Sequence, residues 1–382
     1  MKFLRVIYIS LFFALLLCMG LGPVLFPYQG LLFSENRETK SLKEVTAKDL
    51  VQGDFFSKLN DILQDTHPLR QDLISWKAGF QGKVLGRPVV NNVYWKGDTL
   101  LAYVNGIQTD TIAPDESLED MGNFYEKLAK FCEEEGSHFV FIGLPNHTQA
   151  FAKDYPFYME STSFLGALEK NFQGELEKKS VDSLFLSPLL LKNPSAYYLR
   201  TDHHLQAQGA LLASQKILEK LNPKRDYNLE KDYKICKDLR PFVGSRSRKI
   251  PGLGPEEKLY YPRYQKPFSY SYQVADGEGK ILDLQDQKPT VDYGVYMEGD
   301  VGYGQLKTDN EKGLKLLIYG DSYTNALETV LAPYCGKLTS FDFRYGNPEN
   351  FMEEVKSGDY DYVLCIRDSS MYLKKSPNGR FF

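Results

Sequence analysis

The chain has 382 residues, with 46 Lys and Arg against 50 Asp and Glu, and therefore a formal net charge of -4. This length allows one large domain or two smaller ones. The slightly acidic balance argues against a nucleic-acid-binding protein, which would carry a basic surface. The 26 Tyr and 24 Phe, against 2 Trp, fit either an ordinary aromatic core or an aromatic-lined groove for sugars.

The N-terminal segment is strongly apolar. Residues 6–34 contain no charged side chain, and Lys2 and Arg5 precede them. The run exceeds the roughly 20 residues that a membrane-spanning helix needs. A cleaved signal peptide is the alternative, but the run is longer than the usual apolar core of such peptides and lacks a clear small-residue cleavage site. We therefore predict a retained anchor over 6–28, with residues 1–5 in the cytoplasm and the rest exported.

The remainder is predicted to form a polar tether over 29–46 and one large domain over 47–382. Short, nearly continuous apolar runs, typical of strands buried on both faces, alternate with helical patterns. The predicted helices cover 115–136, 161–178, 205–221, a segment from 322 and 347–357, and the predicted strands cover 138–144, 181–186, 314–320, 337–343 and 360–366. Residues 225–300, rich in Tyr, Pro and Gly, are predicted to be an irregular insertion. This alternation predicts an α/β fold, a three-layer sandwich with a central mostly parallel sheet.

The end of the strand predicted over 314–320 and the residues after it read "IYGDSYTNAL" (318–327). Ligand sites in parallel sheets lie at the carboxyl ends of the strands, and Ser322 sits at that end, at a turn before a helix. A serine there presents its hydroxyl at the sheet edge, and the free N–H groups at the helix start can stabilise an oxyanion. The alternative is that Ser322 simply caps the helix.

A second polar group occurs in "AYYLRTDHHLQAQGA" (196–210), where a strand-like pattern changes to a helical one. Serine becomes a good nucleophile when a histidine, itself oriented by a carboxylate, takes its proton. Asp202 and His204 are two residues apart, so a local turn can bring their side chains together. Because both segments lie at strand-to-helix transitions, we expect His204 to lie beside Ser322.

Three other interpretations of this group remain open. Asp202 would cap the helix over 205–221 while the histidines are solvated, or the histidines would be hydrogen-bonded core residues. Alternatively, Asp202, His203 and His204 would bind a metal together with a distant ligand such as His147. The combination of the two segments favours a serine site, for which neither a metal nor an organic cofactor is expected. The cysteines show neither zinc-site spacing nor the density of a disulfide scaffold.

The string "YYLRTDHHLQAQGA" (197–210) resembles the signature of the DHHW family of exported bacterial proteins, relatives of the alginate O-acetyltransferase proteins with an SGNH-hydrolase-like domain. The resemblance touches most of residues 35–370 and implies an SGNH-hydrolase-like fold. Its other segments are "ENRETKSL" (35–42), "LNDILQDTHPLRQDLI" (59–74), "GLPNHTQAF" (143–151), "GLKLLIYGDSYTNALETVLAPY" (313–334), "SFDFRYGNPENF" (340–351) and "YDYVLCIRDSS" (360–370).

The resemblance implies roles for three residues: Ser322 as nucleophile, His204 as general base and Asp202 as the carboxylate that orients the base. His203 falls on the variable position of the Asp-x-His pair and is expected to support the site. The family signature normally ends in Trp, where this chain has Leu205. The wall beside the histidine is therefore expected to differ from that of the family.

Other groups are expected near the reacting atoms. Backbone N–H groups near Ser322 and Tyr323 are expected to bind the oxyanion. Asn325 and Arg344 are candidate polar helpers, with a helix-surface amide and a salt bridge at the core edge as the alternatives.

The resemblance implies a membrane-tethered enzyme outside the cytoplasm that transfers acetyl groups to a secreted or cell-wall polysaccharide. It also implies that a multi-spanning membrane-bound O-acyltransferase supplies the acetyl group. An acetylesterase with the same triad, using water as the acceptor, is one alternative. A non-catalytic polysaccharide-binding scaffold of an export complex is another. No nucleic acid is expected as a partner.

Overall fold

The computed structural model describes residues 2–33, 37–103, 118–159, 165–275, 277–284 and 287–373. It divides into two compact units. Unit 1 comprises Met1–Lys96 and Arg246–Gly254, and unit 2 comprises Gly97–Ser245 and Pro255–Phe382. The predicted limits of the anchor, the tether and the large domain stay predictions. Part of the predicted tether, residues 34–36, lies outside the described residues.

Unit 1 begins with helix α1, Lys2–Leu25, and its Phe3–Leu25 stretch has a mean hydropathy of 2.3 over its most apolar window. By length and composition this helix can cross a membrane, and none of that window is buried in the protein. The other elements of unit 1 are short. They are β1 Leu31–Leu32, β2 Arg37–Glu38, a 3-10 helix Leu42–Glu44, α2 Ala47–Gln52, α3 Phe55–Asp65, α4 Arg70–Gly79, a π-helix Phe80–Val84, β3 Val89–Val90 and β4 Val93–Tyr94.

Local sequence explains several boundaries in unit 1. Helix α2 begins with a capping box formed by Thr46 and Asp49 and ends at Gly53, whose left-handed φ of 84° suits glycine. Strands β3 and β4 form an antiparallel hairpin. Its two-residue loop, Asn91 and Asn92, has positive φ at both positions, as hairpin turns of this length require.

Unit 2 is built on one eight-stranded sheet with the order β11-β10-β12-β14-β13-β15-β6-β7. The strands from β14 to β7 are mutually parallel, and β12, β10 and β11 extend the sheet with antiparallel neighbours. The strands of this sheet are β6 His138–Leu144, β7 Ser183–Phe185, β10 Tyr270–Val274, β11 Gly277–Glu278, β12 Tyr303–Thr308, β13 Leu314–Gly320, β14 Cys335–Asp342 and β15 Tyr362–Asp368. Three further strands of unit 2 lie outside it: β5 Leu101–Ala102, and β8 Tyr233–Lys237 with β9 Tyr260–Tyr264, which pair with each other.

Helices complete unit 2. They are α5 Leu118–Glu134, α6 His147–Ala150, α7 Leu165–Lys178, α8 Ser187–Leu190, α9 Pro194–Tyr197, α10 Ala207–Leu221, α11 Leu229–Asp232, α12 Ser245–Lys249 (which continues into unit 1), α13 Asn325–Leu331, α14 Pro348–Ser357 and α15 Ser369–Tyr372, with 3-10 turns at Ala152–Asp154, Tyr293–Val295 and Ala332–Tyr334. The first residues of the helices predicted from 115 and 161 lie outside the described residues.

Consecutive residues of the central parallel strands are buried, so both faces of the sheet are covered. In β6, for example, Phe139 and Phe141 join the core formed with α5, α7 and α14, while Val140 and Ile142, on the opposite face, are also buried. Helices α10 and α13 pack against each other within the same unit. The predicted α/β fold with a large, mostly parallel central sheet is confirmed.

The segment predicted as an irregular insertion, 225–300, contains strands β8 to β11. Strand β10 pairs with β12, and β11 pairs with β10, so part of this segment widens the central sheet. Tyrosines at alternate positions, such as Tyr270 and Tyr272, are compatible with these strands because a pleated strand places every second side chain on one face. The Pro and Gly residues around these strands hide this alternation in the sequence.

Candidate active site

Ser322 lies in the turn that follows β13. The close packing at Gly320 explains the glycine that ends the strand, because a Cβ there would lie 2.7 Å from the carbonyl oxygen of Ile366. The following helix begins three residues after the serine, at Asn325, with Thr324 in the cap position. Ser322 is therefore not the helix cap, and its Oγ instead lies 2.9 Å from Nε2 of His204.

The segment that carries Asp202 and His204 is a loop between α9 and α10. The strand-like pattern before Asp202 does not form a strand: only a single bridge between Tyr198 and Leu205 forms there, because Pro194 begins the short helix α9 immediately upstream. Helix α10 begins at Ala207, so Asp202 does not cap it. The residues reach the serine through a loop rather than through a neighbouring strand end.

Asp202 organises this loop around its own carboxylate. Its Oδ1 accepts hydrogen bonds from the N–H of His203 at 2.6 Å, the N–H of His204 at 3.2 Å and Nδ1 of His204 at 2.6 Å. Its Oδ2 accepts from the N–H of Ser245 at 2.6 Å. Both oxygens of this buried side chain are thus held in place.

The charge of Asp202 determines the protonation pattern of the site. Burial raises its pKa, but the charges of His204 and His203 and the hydrogen bonds from His204 and the Ser245 N–H together hold it well below the usual range. An ionised carboxylate can only accept, so Nδ1 of His204 carries the proton. In the neutral imidazole, Nε2 is then the acceptor that faces the Ser322 hydroxyl, as a general base requires.

Asp202, His203 and His204 each offer one ligand atom within 4.8 Å of the others, so their positions are compatible with a metal. Their donor atoms, however, are committed within the protein. Both ring nitrogens of His204 have partners, and Nδ1 of His203 lies 2.9 Å from the hydroxyl of Ser245. Nε2 of His147 also has a partner, the carbonyl oxygen of Leu199 at 2.9 Å. This hydrogen bonding fits a triad better than a metal centre.

Residues from the 225–300 segment, which no motif in the sequence indicates, complete the site. The ring of Tyr293 stacks on the imidazole of His204 with a centroid separation of 3.9 Å and an interplanar angle of 4°. Ser245 contacts both Asp202 and His203. Neither residue lies in a recognisable motif, and the abundance of tyrosine in this segment was the only signal.

A carboxylate and a glycine from the same segment fix the backbone before Asp202. Glu257 accepts hydrogen bonds from the N–H of Arg200 at 2.8 Å, the N–H of Thr201 at 2.9 Å and the hydroxyl of Thr201 at 2.5 Å. Gly244 approaches so closely that a Cβ on it would lie 2.2 Å from the carbonyl oxygen of Thr201. The loop is thus clamped on two sides.

The other predicted residues differ in their proximity to the reacting atoms. The N–H of Tyr323, an expected oxyanion donor, donates to Oδ1 of Asp321 at 3.0 Å, and its hydroxyl donates to the carbonyl oxygen of His203 at 2.5 Å. The amide of Asn325 donates to the carbonyl oxygen of Gly299 at 2.9 Å. Tyr323 therefore helps to hold the histidine loop, while Asn325 fixes the start of α13.

The surroundings of Arg344 and Leu205 indicate structural roles for both residues. The guanidinium of Arg344 lies 2.6 Å from Asp342 and 2.9 Å from Asp300, which corresponds to the salt-bridge alternative. Leu205 is buried in the core. The ring that stacks on His204 is that of Tyr293.

Asp321 is a buried acidic residue directly before Ser322. Burial and the nearby carboxylate of Asp368 raise its pKa to about 7. Its Oδ1 accepts the Tyr323 N–H, whereas Oδ2 has no hydrogen-bond partner among the described residues. A proton on this carboxyl therefore relieves an uncompensated buried charge next to Ser322.

Residues 108–287 match the family model described as the SGNH hydrolase-like domain of the acetyltransferase AlgX. The matched segment includes Asp202 and His204 and ends before Ser322. No curated protein sequence matches the chain.

Solved structures share the fold. The chain is similar to Bacillus cereus PatB1 with a sulfonyl adduct, with 18% identity, a TM-score of 0.61 and coverage of 76% of this chain and 98% of that one. It is also similar to a DHHW family protein from Eubacterium siraeum, with 19% identity, a TM-score of 0.54 and coverage of 75% and 96%. Residues 108–287 therefore resemble the SGNH hydrolase-like domain of AlgX, and the chain shares its fold with the DHHW family protein, which confirms the resemblance that its motifs suggested.

Proposed function

We propose that this protein is an O-acetyltransferase that acts outside the cytoplasm on a secreted or cell-wall polysaccharide through an acetyl-serine intermediate. The observation that carries the proposal is the position of His204, with Nε2 2.9 Å from the Ser322 hydroxyl and Nδ1 2.6 Å from Asp202. The match to an acetyltransferase domain supports acyl transfer as the reaction class.

In the first half-reaction, Oγ of Ser322 attacks the carbonyl carbon of the acetyl donor while Nε2 of His204 takes the hydroxyl proton. The tetrahedral intermediate collapses, and the leaving group departs with that proton. In the second half-reaction, a sugar hydroxyl gives its proton to His204 and attacks the acetyl-serine. Ser322 then leaves and recovers the proton from His204. Asp202 stabilises the imidazolium that forms in each step.

The oxyanion of each tetrahedral intermediate needs a hydrogen-bond donor close to Ser322. The N–H of Ser322 donates to no acceptor among the described residues, and we assign this role to it. The N–H of Tyr323 is already bonded to Asp321 in this structure and would become a second donor only after that bond opens.

Helix α1 is proposed to anchor the enzyme in the cell membrane, with the large domain outside. As the resemblance implies, a membrane-bound O-acyltransferase is proposed to supply the acetyl group. An apolar helix of suitable length supports the anchor. The donor protein follows only from the family resemblance.

The test is to incubate the detergent-solubilised full chain with an activated acetyl ester and an oligosaccharide, and to analyse the sugar by mass spectrometry. Acetylated sugar that disappears with Ser322→Ala and persists with Ser269→Ala, a change at an exposed serine, supports the proposal. Release of acetate without sugar acetylation would identify an esterase instead. Activity in the wider polysaccharide pathway that survives Ser322→Ala would indicate a non-catalytic scaffold.

A further inference from the structure

Helix α4 and the π-helix that continues it expose an apolar stripe on unit 1. The stripe comprises Leu69, Leu73, Trp76, Phe80 and Val84, which follow one another at intervals of three or four residues and so share one helix face. All five are exposed, Trp76 at 67% and Val84 at 69%. A contiguous apolar face of this kind marks an interaction surface rather than ordinary surface composition.

The opposite face of the same segment is packed, so the stripe is not a loosely folded helix. Gly82 is buried, and a Cβ there would lie 2.6 Å from Leu253 and 3.1 Å from the ring of Trp95. Trp76 and Phe80 stack on the exposed side with centroids 5.5 Å apart. The helix is thus held by one face while its aromatic face remains open.

The stripe begins beside the end of α1. A Cβ on Gly22, three residues before the end of α1, would lie 3.6 Å from both His67 and Pro68, the two residues that precede Leu69. The N–H of Tyr28, just after α1, donates to the carbonyl oxygen of Thr66 at 2.7 Å. When α1 spans a bilayer, these contacts hold the start of the stripe at the level where the span leaves the membrane.

The charged residues around the stripe are also compatible with a position at the membrane surface. Lys77, Lys83 and Arg87 are exposed on this segment, with Asp72 as the exposed acidic residue among them. Tryptophan and phenylalanine on one face with basic residues beside them are typical of helices that lie in the membrane interface. Anionic lipid headgroups would attract the basic side chains.

We propose that the α4 stripe lies in the outer interface of the membrane that α1 spans, with Trp76 and Phe80 inserted at the headgroup–acyl boundary. The protein then touches the bilayer at two places, a spanning helix and an interfacial helix. This fixes the orientation of unit 1 on the membrane, which a single flexible tether would leave free.

The chain has only two tryptophans, which allows a direct test. Full-length protein with Trp95→Phe, leaving Trp76, and full-length protein with Trp76→Phe, leaving Trp95, are reconstituted into vesicles of phosphatidylcholine and phosphatidylglycerol. Brominated phosphatidylcholine then serves as the fluorescence quencher. We expect lipid that is brominated close to its headgroup to quench most of the Trp76 fluorescence. The reason is that an interfacial helix buries its apolar face roughly 5–10 Å into the headgroup–acyl boundary. Trp95, on the packed side, should retain its emission.

A charged substitution supplies the matched comparison. In the background that retains Trp76, Leu73→Asp should shift the Trp76 emission to longer wavelength and reduce its quenching by brominated lipid. Leu42→Asp, at an exposed leucine outside the stripe, should change neither quantity. Because α1 holds no tryptophan, insertion of α1 alone produces no quenching.

Three outcomes would overturn the proposal. Trp76 would remain accessible to aqueous iodide and unquenched by brominated lipid if the stripe faced water. Its emission would depend on protein concentration but not on brominated lipid if the stripe bound another protein copy. A chain that failed to float with vesicles in a density gradient would contradict the membrane contact altogether.

Discussion

The imidazole of His204 and the phenol ring of Tyr293 lie almost parallel, 3.9 Å apart between centroids, although 89 residues separate them in the chain. One face of the imidazole is therefore covered by an aromatic ring, while its edge carries the bonds to Asp202 and Ser322. The covered face limits rotation of the base and excludes water from that side. Tyr293 is, on this geometry, a positioning residue for the histidine.

Replacing Tyr293 with Leu removes the stack while keeping an apolar side chain in place. An aromatic stack contributes about 0.5–1.5 kcal/mol, so kcat for acetyl-ester turnover should fall roughly 2- to 10-fold through poorer orientation of His204. Tyr293→Phe keeps the ring and should restore kcat to near the wild-type value. Equal losses in both variants would show that the hydroxyl, and not the stack, is what matters.

Asp202→Asn tests the tautomer of the base. An Asn amide can present its N–H to Nδ1 and so favour the imidazole form that carries its proton on Nε2, which cannot accept from Ser322. We expect kcat to fall about 10³- to 10⁴-fold, as in other serine triads, with a smaller change in KM. The measurement is the rate of acetyl-ester turnover with the melting temperature recorded in parallel. Retention of most activity would mean that Asp202 does not orient the base.

Gly244→Ala tests the clamp on the loop that carries Asp202 and His204. The added Cβ would lie 2.2 Å from the carbonyl oxygen of Thr201, so the backbone before Asp202 must move. Such overpacking costs about 1–3 kcal/mol of unfolding free energy, and the shift of Asp202 should also lower kcat. Gly174→Ala is the matched control, because it lies in α7 with no atom within 4 Å of its Cβ position. That change should stabilise the protein by about 0.5–1 kcal/mol, and chemical denaturation measures both.

Asp321→Asn tests the buried carboxyl beside Ser322. Its pKa is about 7 in the folded protein, against an ordinary value of 3.8 for an aspartate side chain, so between these values the folded state holds a proton that the unfolded chain has released. Raising the pH through this window therefore lowers the unfolding free energy of the wild type. Asn carries no such proton and should remove this contribution.

The expected result is that the melting temperature of Asp321→Asn, relative to wild type, rises as the pH increases from about 4 to about 7 and levels off above that range. The same comparison for Asp98→Asn, at an exposed aspartate, should be flat. A pH-independent difference for Asp321→Asn would show that the carboxyl titrates normally. Residual pH dependence shared by both proteins is expected from Glu328, whose burial raises its pKa to about 7 as well.

Much of the architecture was predictable from local pattern. The strands predicted over 138–144 and 314–320 have the same bounds in the structure, because a continuous apolar run buried on both faces is a local property. The segment before Asp202 does not follow its strand-like pattern. Its aromatic residues suggested a strand, but the short helix at Pro194 and the hydrogen bonds around Asp202 produce a loop.

The sequence by itself determined the alternation of helices and strands, the place of Ser322 after a buried strand and the adjacency of Asp202 and His204. Each of these depends on residues close together in the chain. Only the tertiary structure brought Ser322 and His204 to hydrogen-bond distance, placed Tyr293 on the imidazole and bonded the Tyr323 N–H to Asp321. Contacts between distant segments depend on how the whole core packs, and no periodicity within a short segment specifies them.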